Sequence, residues 1–220
     1  MRTLGFAVAA VATLAMFGVS GASAADVSDA TSIVDSLDVT SVGRLVAEIG
    51  GQKVETREEG EKKYVTFYDG EQPYIIAITL CDAKPGKCMA LMQLALVDTG
   101  ATKITSEQMD KLNGDSLFLT GFTLDGNKIG FGRILIVDGG VTRQNLAINI
   151  AGFVVTFQEE MKKLAGQLTS SLERSGNTAA AAAMANTHFR PVQADPRHIR
   201  YVSDQLLAQY RTMLTRGIRH

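Results

Sequence analysis

The 220-residue chain has no tryptophan, three histidines, two cysteines and four prolines. The histidine shortage restricts its chemistry first. His188, His198 and His220 all lie near the carboxyl end. A Ser-His-Asp or Cys-His arrangement needs an imidazole that changes protonation near neutrality, and no earlier residue supplies one. Two thiols without a nearby histidine make a poor zinc site, which usually takes four ligands. Neither a P-loop nor a dinucleotide fingerprint is present. Gly130-Phe131-Gly132 lies inside a strand pattern, where glycine reads as close packing or a bulge. A formal net charge of −1 gives no general attraction for nucleic acid. No metal or cofactor is expected. Carboxylates cluster at Glu58, Glu59 and Glu61 and at Glu159-Glu160, with Asp125 apart. These read as solvated surface, since paired catalytic acids must converge in a cleft.

Long apolar runs are also scarce, with one at the amino end. Arg2 precedes the uncharged stretch Leu4 to Val19, and Ala22-Ser23-Ala24 follows. That order is the pattern of a cleaved export signal, with cleavage expected between Ala24 and Ala25. The run is shorter than the roughly 20 strongly apolar residues of a membrane-spanning helix. No cysteine follows the small-residue site, so no lipoprotein anchor is expected. The predicted location is periplasmic or secreted.

Charge divides the remaining chain. Residues 25–165 hold 14 Lys/Arg and 20 Asp/Glu, a net charge of −6. Residues 166–220 hold seven Lys/Arg and three Asp/Glu, a net charge of +4. The composition shifts near the same place, through Ser175-Gly176-Asn177-Thr178 into Ala179–Ala183 and on to Pro191 and Pro196. This predicts a loose lead over 25–37, a folded domain over 38–171, a low-complexity linker over 172–197 and a tail over 198–220.

Within the domain, Val42, Leu45, Val46 and Ile49 make one helical face, with Asp38 or Thr40 as cap and Gly50-Gly51 as stop. Strands are expected at Val54–Glu58, Lys63–Tyr68, Tyr74–Cys81 and Cys88–Leu96, with turns at Gly60, Asp69-Gly70 and Pro85-Gly86. Thr105-Ser106-Glu107-Gln108 is a capping-box pattern opening a short helix to about Asn113. A second hairpin, Leu117–Leu124 with Ile129–Val137, spans Asp125-Gly126. Thr142 can cap a long helix whose stripe runs from Leu146 to Leu168. The order predicts an α+β domain with an antiparallel sheet and packed helices. Several strands are apolar on both sides: Ile76, Ile78 and Leu80 alternate with Ile75 and Ala77, and Met92 and Leu94 with Leu91 and Ala95. The second sheet face therefore needs a helix, a second subunit or a ligand to cover it.

This order of elements resembles the YbjN domain family of bacterial sensory transduction regulators. The matching features are Ala47-Glu48-Ile49-Gly50, the hairpin from Tyr74 to Leu96, the helix with Met109-Asp110-Lys111-Leu112-Asn113, and Gly139-Gly140-Val141-Thr142 before the last helix. They span roughly residues 37–168. The resemblance implies a fold like that of type III secretion chaperones and a non-enzymatic protein-interaction or regulatory module, with no catalytic residue to carry over. The family often has an aromatic residue before the middle-helix asparagine, where this chain has Leu112.

Cys81 and Cys88 sit at the inner ends of the Tyr74–Leu96 hairpin, and in an oxidising compartment a structural disulfide is expected. Arg133 stands in an otherwise apolar strand. It reads as an outward side chain on the solvated face, or else as a contact for an anion or a partner's carboxylate. The tail carries Arg190, Arg197, Arg200, Arg211, Arg216 and Arg219, with an apolar stripe of Ile199, Val202, Leu206, Tyr210 and Met213 from about His198 to Arg216. Such a basic amphipathic helix can dock on its own acidic domain, bind a partner protein or touch an anionic membrane surface. Arg200 and Arg211, with Arg133, are the candidate partner contacts. The expected function is an exported protein-binding or regulatory, chaperone-like module, with a homodimer as one form. A periplasmic small-molecule or lipid carrier is the alternative.

Overall fold

The computed structural model of the chain describes residues 27–60, 62–81, 87–100, 102–116, 118–124, 127–178 and 189–192. Its elements follow the order β1 (Ile33–Val34), α1 (Val39–Glu48), β2 (Gln52–Glu59), β3 (Lys62–Asp69), β4 (Gln72–Cys81), β5 (Cys88–Asp98), α2 (Ser106–Asp115), β6 (Thr120–Thr123), β7 (Lys128–Ile136), β8 (Val141–Thr142), α3 (Arg143–Arg174) and β9 (Arg190–Pro191). The fold is α+β. Its main sheet runs β2-β3-β4-β5-β7-β6 with every neighbour antiparallel, and β9 adds to β5.

Local chemistry sets the helix ends. The Asp38 side chain accepts from the Ser41 N–H at 2.8 Å and starts α1. Gly50, at φ 95°, turns the chain out of it, a conformation that costs glycine little. Thr105 and Gln108 form the reciprocal capping box of α2. Thr142 accepts from the Asn145 N–H at 3.1 Å and starts α3. This last helix runs to Arg174, so residue 171 falls inside it.

The described helices α1, α2 and α3 pack on one side of the sheet. Val65, Phe67, Tyr74, Ile76, Leu91, Ala95, Ile129 and Phe131 form a buried cluster with Leu45 and Val46 of α1, Met109 and Leu112 of α2, and Ile150, Phe153, Phe157 and Leu164 of α3. Close approach within the sheet has a sequence cause. A Cβ at Gly130 would overlap the Phe122 ring and lie 2.8 Å from the Leu96 side chain. Gly130 therefore reads as a packing glycine, as its strand setting predicted.

The described part of the lead, from Val27, is not loose. Ile33–Val34 pairs with Val141–Thr142, the Leu37 N–H donates to the Cys88 carbonyl at 2.9 Å, and Val27 and Leu37 are buried in the main cluster. Arg143 locks this arrangement. Its backbone N–H donates to the Ser32 carbonyl and its guanidinium to Glu48, each at 2.8 Å. Strand-length patterning could not reveal the lead, because two paired residues are too few to show a period. The second hairpin also differs: Phe118 and Leu119 precede β6, which begins at Thr120, while Leu117 and the Asp125-Gly126 turn lie outside the described residues.

Removing the α1 cap should have a measurable effect. Asp38→Ala is expected to lower the unfolding free energy by about 1 kcal/mol in a urea titration. Burial pushes the Asp38 carboxyl up, but hydrogen bonds from Ser41 and Thr40 and the charge of Arg44 hold it below its ordinary 3.8. A lowered folded pKa gives stabilisation that is complete above the unfolded value and fades as pH falls through the folded one. The difference between parent and variant should therefore close as pH drops below 3.8. A difference that widened in acid would contradict this assignment of the cap.

Candidate functional site

The Tyr74–Leu96 hairpin brings Cys81 opposite Cys88, and the two form a disulfide. Its turn residues, including Pro85-Gly86, lie outside the described residues. Arg200 and Arg211 lie outside them too, with all three histidines and the tail stripe.

Arg133 is on the helix-covered face, not the solvated one. It follows Ile129 and Phe131 in alternation and pairs with the buried Gln93. Its guanidinium donates to Asn149 of α3 at 2.5 Å and lies 5.9 Å from the Phe118 ring centroid. Partial burial lowers its pKa. Arg133 thus works largely as a strut between β7 and α3, while the exposed Phe118 ring marks the outer end of that arrangement.

Asn113, in the middle helix, has a similar internal role. Its side chain accepts from the Gly121 N–H at 2.6 Å and donates to the Gly121 carbonyl at 2.9 Å. These two bonds staple α2 to β6. Leu112 beside it is buried, so this position faces the core.

The structure adds a cleft that no sequence motif marked. It has a volume of about 550 Å³ and lies between the start of β4, the middle of α3 and the returning segment 189–191. Phe157 and Met161 supply apolar wall, Tyr74 lines the deep side, and Asp69, Glu71, Lys162 and Arg190 bring charges of both signs. The Gln158 side chain donates to Asp69 at 2.6 Å and fixes one side of the mouth. Aromatic packing holds Tyr74 in place: its ring stacks on Phe67 at 5.3 Å and meets Phe157 edge-on at 5.6 Å. Burial foremost, and then the charge of Asp69, push the Tyr74 phenol well above its ordinary value, with Gln158 opposing weakly. The group is a neutral hydrogen-bond donor throughout the physiological range.

One wall of the cleft is an added strand. The β4–β5 ladder ends at Tyr74 and Ala95, so the last residues of β5, paired with β7 on one side, are open on the other. Asp98 pairs with Arg190 and Val97 with Pro191, and the Val192 N–H donates to the Leu96 carbonyl at 3.2 Å. Proline is tolerated at such a short edge position because it need not donate there.

Among the described residues, no three His, Cys, Asp or Glu side chains are grouped to hold a metal ion. Glu159-Glu160 do not act as a pair either. Glu160 is buried and bonds Lys163 at 2.8 Å, with its second oxygen unpaired among the described residues.

No family model matches the chain, and no curated protein matches it. Among solved structures it is similar to the crystal structure of YbjN from E. coli, which is described provisionally as a transcription regulator. The match has a TM-score of 0.40 at 17% identity, and covers 60% of this chain and 91% of that one.

Proposed function

We propose that this protein is an exported, non-enzymatic protein-binding or regulatory module that takes a segment of its partner into the cleft beside α3. The observation that carries the reading is the composition of that cleft. Phe157 and Met161 offer apolar contact, Gln158 offers polar contact, and both signs of charge stand at the rim. Specific pockets commonly combine a largely apolar lining with a few fixed polar groups. The Cys81–Cys88 disulfide is compatible with export, since such bonds persist in oxidising compartments.

The volume of the cleft also suits a small molecule, which favours the carrier alternative as a second reading. Chemical crosslinking in intact cells, followed by mass spectrometry, separates the two. A binding module should crosslink reproducibly to one protein through residues near the rim. Lys162→Glu should reduce that crosslink at least tenfold while leaving the melting temperature unchanged, because Lys162 is an exposed helix residue. An unchanged crosslink in that variant, or a copurifying small molecule in native mass spectra with no protein partner, would overturn the reading.

A further inference from the structure

Arg133 carries a half-buried charge that the chain does not offset. Among the described residues, no carboxylate lies within ion-pair distance of it. Other charges withdrawn from water are matched: Arg143 bonds Glu48, and buried Glu160 bonds Lys163, each at 2.8 Å. Burial alone lowers the Arg133 pKa, with no neighbouring charge of either sign adding to the effect. The residue opposite it in register, Gln93, is neutral, and neither of its amide atoms is paired. A charge drawn out of water without a partner is costly. The arrangement therefore points to a counter-charge supplied from outside the chain.

The guanidinium is also held in position. Asn149 turns its oxygen to Nη2 of Arg133, because its own amide nitrogen donates to the Asn145 carbonyl at 2.8 Å and to the Asn145 side-chain oxygen at 2.6 Å. That contact uses one of the two N–H groups on Nη2. Whichever it uses, one two-pronged edge of the planar group remains, either Nε with Nη2 or Nη1 with Nη2. No nitrogen of Arg133 is sealed off without a partner, whereas Nε of Arg143 is. A carboxylate fits such an edge through two parallel hydrogen bonds. A phosphate dianion would want a second cation, and none stands beside Arg133 among the described residues. It would also meet more repulsion from a domain of net charge −6. Phe118 supplies an apolar side. Its ring is 61% exposed, and the ring centroid lies 5.9 Å from the Arg133 guanidinium carbon. An alkyl chain on a carboxylate bound there can lie against that ring.

We propose that Arg133, Asn149 and Phe118 form a binding site for a monocarboxylate that carries an apolar chain. Arg133 grips the carboxylate, Asn149 positions Arg133, and Phe118 packs on the chain. None of the three lines the cleft beside α3, so this site and the cleft reading stand or fall separately.

The test follows the arginine Nε–Hε signals of the full chain by NMR, with Arg133 assigned by the signal lost in Arg133→Lys. Sodium hexanoate should shift that signal saturably, and sodium chloride at the same ionic strength should not. Acetate should bind about tenfold more weakly, the effect of leaving roughly two methylenes in water. Phe118→Ala should remove this preference for hexanoate and leave the melting temperature unchanged, since the ring is exposed. In Arg133→Lys, saturation transfer to hexanoate should fall several-fold with the helix content by circular dichroism retained, because lysine keeps the charge and loses the fork. The dipeptide acetyl-alanyl-leucine and its C-terminal amide identify the source of the carboxylate. Tighter binding of the acid than of hexanoate assigns the site to the chain terminus of a partner, and weaker binding assigns it to a free acid. Equal binding of acid and amide would overturn the proposal. So would an unsaturated drift with hexanoate, an equal response to chloride, or a preference that Phe118→Ala leaves intact.

Discussion

Phe153→Ala is expected to lower the unfolding free energy by about 3–5 kcal/mol, the range for removing a large buried aromatic side chain. Phe153 is 1% exposed and projects from α3 into the helix-side cluster. Its ring meets Tyr74 edge-on at 6.1 Å. Alanine would leave a void between the sheet and the one helix whose buried stripe extends from Leu146 to Leu168. Neighbouring Tyr74 and Phe157 are held by other ring contacts, so they cannot easily collapse into the space. Urea unfolding followed by circular dichroism measures the loss. Val155→Ala is the control, since Val155 is half exposed on the same helix and should change stability by less than about 0.5 kcal/mol. Equal effects at the two positions would mean that α3 does not pack through this face.

The second large effect concerns the hairpin disulfide. Replacing Cys81 and Cys88 together by alanine should cost about 2–3 kcal/mol, from the loop entropy regained by the unfolded chain. Cys88 is fully buried while Cys81 is exposed, so alanine keeps the buried position apolar. Reductant should lower the melting temperature of the parent and leave that of the double variant unchanged. Peptide mapping of protein recovered from outside the cytoplasm should show the 81–88 linkage. Alkylation of both thiols in that material would contradict the expectation.

Signals confined to a few neighbouring residues were legible in the sequence. Thr105 and Gln108 announce their capping box at fixed spacing, and Cys81 and Cys88 face each other across a hairpin whose strands could be read directly. Arg133 was harder to place. Its strand is apolar on both sides, so alternation offered no polar face against which to orient it; only Asn149, sixteen residues on, reveals the inward side. The cleft could not be read at all. It joins residues near 70, 160 and 190, whose proximity arises from packing rather than from spacing. Phe189–Val192 gave one weak signal, a short apolar interruption between an alanine run and a proline, but its pairing partner lies more than 90 residues earlier.

The outer strands of the sheet constrain how copies of this protein can meet. At one side β2 carries Lys53, Glu55, Arg57, Glu58 and Glu59 and is almost wholly exposed; at the other, β6 has only four residues. Dense charge and short length both discourage lateral stacking of sheets into ribbons or fibrils. The molecule can thus keep a broad hydrophobic interior at high concentration without offering a template along which its neighbours could polymerise.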